Sequence, residues 1–393
     1  MIRRTLFRCF VGALAFALLV TSVPCAAPAA DTYDISAVLP LTGSVALLGN
    51  AVAKSLALVE DNVNKSGGIN GRPVKFVILD DQSNPTISVQ LVNRIVASKA
   101  PVMIGPSLNA TCSAVAPLLK DGPVGMCLSP GIHPDPGSYV FSAAPSTLDL
   151  AIVTARYAKK RGWKKIAFLF TTDASGIDGE KVLKQAFASP DGNATAVVDV
   201  EYFAPADLTV AAQLSRIKNS GADALYVWAS GTPSVTALRG IANAGIDIPI
   251  LTSYSNATYE QLNAIKGFMP KELLIPGLPT MVPPDQLARG QLRDAVAAYY
   301  RAFQTAGIRP DVLQTSAWDA AQLVITALRR LGPNATAAQV RDYIASLNGF
   351  TGVTGRYDFR AIPQRGVDWK SSVIMARWDP AKDSFVSVSP IGG

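Results

Sequence analysis

The chain has 393 residues, 49% of them hydrophobic and 17% charged, enough to bury the cores of two ordinary domains and too apolar for a disordered chain. Its net charge is +7, but Arg3, Arg4 and Arg8 stand within the first thirty residues, and without that stretch the excess falls to +4. So modest and scattered a charge excludes nucleic acid as a partner.

Residues 1–30 read as a secretory signal peptide. The basic start leads into an apolar run from Cys9 to Val23, and Ala27-Pro28-Ala29 offers a small-residue cleavage site. The run is short for a membrane span. Lipidation at Cys25 fits poorly because Pro24 precedes it. The mature chain is therefore expected in the periplasm. Of four cysteines, Cys112 and Cys127 remain, and an oxidising compartment permits a disulfide between them. Two cysteines and one histidine match no zinc spacing, so neither a metal nor a cofactor is expected.

The mature sequence opens on a strand, Ile35 to Leu39, and a loop through Gly43. A helix follows with Val52, Leu56, Val59 and Val63 on one face, and Gly67-Gly68 stops it. Val74 to Leu79 is an apolar run, as in a strand covered on both faces. Asn84 caps the next helix and Pro85 takes its first position. A strand at 102–105, a helix at 109–120 and a strand at 124–128 complete a βαβαβαβ unit. The pattern breaks at Tyr139 to Pro145 and restarts at 147–160, alternating to a last strand at 248–251. Prolines 276, 279, 283 and 284 precede helices at 286–306, 312–331 and 336–347, and the tail reads as short strands. Two α/β units imply two lobes, with a cleft between the carboxyl ends of their sheets, where strand-end loops and helix N-termini converge.

Several segments carry a family resemblance. Leu39-Pro40-Leu41-Thr42-Gly43 with Gly49 is one, and Asn64-Lys65-Ser66-Gly67-Gly68-Ile69-Asn70-Gly71-Arg72 is another. Asp80-Asp81-Gln82, Gly105-Pro106, Ser129-Pro130-Gly131 and the Tyr226–Pro233 segment follow in order. Over essentially the whole mature length the chain resembles the type I periplasmic solute-binding proteins of the leucine/isoleucine/valine-binding ABC transporter family, as a subgroup with a divergent ligand pocket. The resemblance implies an α/β fold of two Rossmann-like lobes, three interlobe crossings and a ligand cleft. It places the crossings near 141–145, 276–279 and 349–355. The lobes would be 31–143 with 278–350, and 144–277 with 351–393. It implies an extracytoplasmic binding component serving ABC permease subunits in the inner membrane, expected as a monomer and not an enzyme.

The same resemblance nominates ligand-binding residues. A ligand carboxylate would meet Ser107, Leu108 and Asn109 at a helix start, an anion-capturing geometry, with Asn109 where a serine is usual. Gly131, Ile132 and His133 would add donors, with His133 where a threonine is usual. For Asn109 the plain alternative is a helix cap, and for His133 a surface residue without function. Members binding α-amino acids hold the ammonium with an acid after the strand ending near Leu251. Here Thr252 to Asn256 contains none, which argues against an amino acid unless Asp173 substitutes. Ser175 stands where those members carry an aromatic ring. Trp228 and Tyr254 offer a flat apolar wall, with Leu48 opposite and Asn256 nearby, and core packing is the plain alternative for either ring. The expectation is an aromatic or other hydrophobic carboxylate, with a branched-chain amino acid, an amide compound or a sensory receptor as alternatives. No Gly-x-Ser-x-Gly elbow supports a hydrolase. Of four Asn-x-Thr sequons, two lead into capping boxes, Thr258 with Gln261 and Thr336 with Gln339.

Overall fold

The computed structural model describes residues 31–393, so the expected signal peptide, with Cys9 and Cys25, lies outside the described residues. Among those residues no helix is long and apolar enough to cross a membrane.

The first sheet takes its strands from the first third of the chain: β1 (Tyr33–Leu39), β2 (Val74–Asp80), β3 (Val102–Ile104), β4 (Val124–Cys127) and β5 (Val140–Ser142). Helices α1 (Ala46–Lys65), α2 (Pro85–Ala97) and α3 (Asn109–Val115) connect them, and the strands run parallel in the order β2-β1-β3-β4-β5. Helix α1 buries Val52, Leu56, Val59 and Val63, the face expected from their spacing. Asn84 caps α2 by accepting from the Thr86 N–H. One expectation changes: β2 is an edge strand and is half-buried over most of its length, not covered on both faces. Val74, Phe76 and Ile78 of its apolar run face one core cluster and Leu79 the other, and the edge position leaves the rest half-buried. Gly49 is required where α1 begins, because a Cβ there would lie 2.1 Å from the Pro40 carbonyl oxygen. Asp80, at the end of β2, accepts from the Leu41 and Thr42 N–H groups at 2.9 and 3.2 Å and fixes the β1–α1 loop.

The second lobe repeats the plan. Helix α4 (Thr147–Lys160) leads through β6 (Lys165–Thr171), α5 (Ala174–Ala188), β7 (Ala196–Phe203), α6 (Ala211–Asn219), β8 (Ala224–Trp228) and α7 (Thr232–Asn243). Strand β9 (Ile250–Thr252), helix α8 (Tyr259–Ile265) and strand β10 (Leu273–Gly277) follow. Next come α9 (Gln291–Thr305), α10 (Val312–Leu331), α11 (Ala337–Ser346), the hairpin β11 (Asn348–Thr351) and β12 (Arg356–Asp358), and α12 (Trp369–Ser372). The tail strands β13 (Ile374–Asp379) and β14 (Ser384–Ser387) then extend the second sheet, whose order is β14-β13-β10-β9-β8-β6-β7. Its strands are parallel up to β10, and β13 and β14 add an antiparallel edge.

Helix α10 packs along α1, touches the second and third crossings itself and is linked to the first through Tyr357. Thr315 Oγ1 lies 2.7 Å from Thr280 Oγ1 in the segment after β10. Asp319, wholly buried, accepts from the Val353 and Thr354 N–H groups, each at 2.8 Å, after β11. The Tyr357 hydroxyl lies 2.8 Å from Asp319 Oδ2 and 2.5 Å from the Ala143 carbonyl oxygen, between β5 and α4. A buried carboxylate persists only where its lone pairs are occupied, and here three donors meet it.

Candidate ligand cleft

A cleft of about 600 Å³ opens between the strand ends of the two sheets. Its first wall comes from Ser44, Val45, Leu47 and Leu48 before and within α1, from Ser107, Leu108 and Asn109 after β3, and from Leu128 to Gly131 after β4. The disulfide between Cys112 and Cys127 ties the second and third of these segments together, with Cα atoms 6.1 Å apart. Asn109 is the first residue of α3 and follows the cap position, so its amide is not spent on capping. The amide lies over Gly131, where a Cβ would approach Asn109 Cγ and Nδ2 to 3.1 Å.

The second wall carries Asp173, Ser175 and Asp178 at the start of α5, Tyr226 and Trp228 of β8, and Ser230 to Thr232 before α7. Ser253, Tyr254 and Ser255 follow β9, and Thr258, Glu260 and Gln261 begin α8. Thr147 and Leu150 of α4 and Val312, Leu313 and Ser316 of α10 close the back.

Nine of the twelve nominated ligand residues line this space: Leu48, Ser107, Leu108, Asn109, Gly131, Asp173, Ser175, Trp228 and Tyr254. Three do not. Ile132 packs into the core beside Cys112 and Cys127. The His133 ring is half exposed and turns to Asp178, with Nε2 3.4 Å from Oδ1. Asn256 is buried, its amide donating to the Ala229 carbonyl and Thr252 Oγ1 and accepting from the Gly231 N–H. Its side chain is consumed in holding the β8–α7 loop.

Two expectations about the second wall also change. Trp228 is 4% exposed and stacks on Tyr226 with centroids 5.7 Å apart, while its Nε1–H donates to Ser175 Oγ at 3.2 Å. Buried between these neighbours, it follows the core alternative and adds little apolar surface to the cleft. Tyr254 remains half-buried on the wall, and burial pushes its hydroxyl up to about 12. The wall also does not lack acids. Asp173 is spent as the α5 cap, accepting from the Gly176 N–H and Thr171 Oγ1, each at 2.9 Å. Asp178 faces His133, and Glu260 stands exposed in the first turn of α8. Among the described residues no lysine or arginine lines the cleft.

Sequence reasoning missed Glu260, Asp178, Thr147 and Ser316, which reach the cleft from helix starts far apart in the chain. The Thr258 cap was the one available signal for Glu260, since it sets the helix whose first turn carries that acid; the expected capping box is only half formed, because the Gln261 side chain donates to the Gly231 carbonyl instead. Ser107, Thr147 and Ser253 are cleft residues whose hydroxyl oxygens are buried and meet no hydrogen-bond partner among the described residues. Each such group costs about 1–3 kcal/mol until something bonds it.

The sequence pattern of the family described as periplasmic binding protein matches residues 32–382. The Leu/Ile/Val-binding protein homolog 3 of Brucella melitensis is 27% identical over 234 residues, covering 57% of this chain and 62% of that relative. The Leu/Ile/Val-binding protein BraC3 of Rhizobium johnstonii is 29% identical over 217 residues, covering 53% and 58%. The chain thus spans about six-tenths of the length of these curated relatives. A type 1 periplasmic binding protein from Bordetella pertussis superposes with a TM-score of 0.78 at 21% identity, over 92% of this chain and 100% of that one. The branched-chain amino acid transporter substrate-binding protein LivJ from Streptococcus pneumoniae, solved with isoleucine, gives 0.75 at 20% identity over 92% and 100%.

Proposed function

Since the chain belongs to the periplasmic binding protein family, we propose that it stands in the type I, branched-chain amino acid branch and is the extracytoplasmic substrate-binding component of an ABC importer. Its ligand is a small carboxylate with a hydrophobic body, aromatic by preference, held between the lobes. The observation that carries this reading is that three residues lining one cleft, Ser107, Thr147 and Ser253, hold buried hydroxyls without a hydrogen-bond partner among the described residues. Hydroxyls and the Asn109 amide donate to a carboxylate without requiring a cationic side chain. Leu48, Leu108, Tyr254 and Leu313 supply the apolar surface for its body. The protein binds and releases, and the outward faces of the lobes serve the permease.

A second reading, a branched-chain amino acid, is favoured by one observation. Glu260 lines the cleft and forms none of the ion pairs found among the described residues, which leaves it available to an ammonium group. Titration calorimetry of residues 31–393 against benzoate and leucine decides between the two. Benzoate binding that Asn109→Ala abolishes and Glu260→Gln leaves intact supports the first. Tight leucine binding lost in Glu260→Gln, with silence toward aromatic acids, overturns it in favour of the second. Silence toward both classes sinks the carboxylate itself.

A further inference from the structure

Behind the first wall lies a cation that neither the motifs nor the cleft lining brought forward. Arg365 is 7% exposed and sits between β5, the first crossing and the loop after β4. One guanidinium nitrogen donates to the Ala144 carbonyl at 2.5 Å and to Ser142 Oγ at 3.3 Å. The other donates to the carbonyl of Ile132. All of these acceptors are carbonyl or hydroxyl oxygens, and no carboxylate pairs with it directly. Asp149 and Asp178 act on it only through space. Burial lowers its affinity for the proton to about 10, which still leaves it charged at neutral pH. A buried charge without a contact partner is costly, and such a charge persists where something else uses it.

The peptide it holds is the carbonyl of Ile132, directly after Gly131 on the cleft wall. We propose that Arg365 is a positioning residue for the ligand's carboxylate: it fixes the 130–133 loop from behind and lends the acid-rimmed cleft its positive charge without touching the ligand. The inference rests on the carboxylate reading above. It explains how an anion enters a space lined by Asp173, Asp178 and Glu260 and, among the described residues, by no lysine or arginine. The charge comes from the hidden side of the loop, where it is shielded from water and acts at low effective dielectric. Drawing on the first crossing and the loop together, the same side chain ties charge to lobe geometry.

A purely structural staple and an electrostatic residue predict different outcomes. Arg365→Gln removes the charge and keeps only a shorter polar side chain, and Arg365→Lys keeps the charge but loses the fork, so both variants weaken the staple and only the first loses the charge. Calorimetry compares benzoate with benzamide, and leucine with leucinamide, for the wild type and both variants. The expected result is that Arg365→Gln loses on the order of tenfold in affinity for the carboxylate of the bound pair and leaves its amide within about twofold, while Arg365→Lys keeps most of the preference. Equal loss for carboxylate and amide overturns the inference and leaves a staple, as does no loss at all. Failure of the wild type to bind any of these carboxylates strikes the proposed function instead, so the two readings fail separately.

Discussion

Asp319 is the residue whose loss should be felt farthest from the mutation. Replacing it by alanine leaves the Val353 and Thr354 N–H groups buried with no acceptor, while Tyr357 keeps the Ala143 carbonyl. Each orphaned donor costs about 1–3 kcal/mol. Burial also raises the Asp319 carboxyl above the usual carboxylate range, so removing the group returns part of that cost. A net destabilisation of about 3 kcal/mol follows. For a chain of this length the unfolding entropy near Tm is roughly 0.8 kcal/mol per degree, so Tm falls by about 4 °C. Asp319→Asn presents one acceptor and turns an NH2 toward the second N–H, and should cost about 2 kcal/mol. Urea and thermal unfolding measure both variants. Small-angle scattering of the ligand-free alanine variant should show a broader spread of lobe orientations, because the third crossing has lost its anchor on α10. An alanine variant within 0.5 kcal/mol of wild type, with unchanged scattering, would falsify the view that this carboxylate holds the crossings together.

Asp311 caps α10 through the Leu313 N–H, and burial, reinforced by the charge of Glu260, pushes its carboxyl up to about 6. A folded value above the unfolded one means that the native state holds the proton more tightly. Its contribution is therefore full below about pH 4 and lost as pH rises through about 6. Asp311→Asn keeps a capping oxygen and should be more stable than wild type at pH 7.5 by about 1–2 kcal/mol, with the gain absent at pH 4. Urea midpoints at the two pH values check the sign. Gly179→Ala places a methyl 2.3 Å from the Trp228 ring, so the indole must shift toward the cleft and leave Ser175. The expected cost is about 1–3 kcal/mol with weaker ligand binding, and an unaltered Kd by calorimetry would count against a close fit at this wall. Opening the Cys112–Cys127 bridge by a double serine substitution should cost about 3 kcal/mol, given the 15-residue separation, and differential scanning calorimetry reads it directly.

Much of the fold was legible because its elements obey local rules. The spacing of Val52, Leu56, Val59 and Val63 determines a helix face wherever the helix lies, and Asn84-Pro85 starts one by the same chemistry in any context. What local rules do not carry is a strand's place in its sheet. The Val74–Leu79 run reads the same at an edge as at the centre. Strand β10 went unrecognised because Pro276 reads as a breaker, yet its missing N–H is tolerated where an antiparallel β13 takes over from the parallel strands. The site divides in the same way. Ser107, Leu108, Asn109 and Gly131 lie in loops whose motifs fix the backbone, and they line the cleft as expected. Asn256 and His133 lie in loops correctly placed, but their side chains answer to neighbours, Thr252 and Ala229 for one and Asp178 for the other. Glu260 and Arg365 depend on contacts between segments more than a hundred residues from the anion loop, which no window of sequence contains.

The bridge between Cys112 and Cys127 also makes the first wall a reporter of its surroundings. It joins the helix that begins at Asn109 to the strand that leads to Ser129 and Gly131, segments already laid side by side by the β3–β4 pairing and by the Leu128 N–H on the Pro106 carbonyl. Such bonds close in oxidising compartments and stay open in reducing ones. Hydrogen bonds thus set where the two segments lie, and the redox state of the compartment sets how firmly they are locked there.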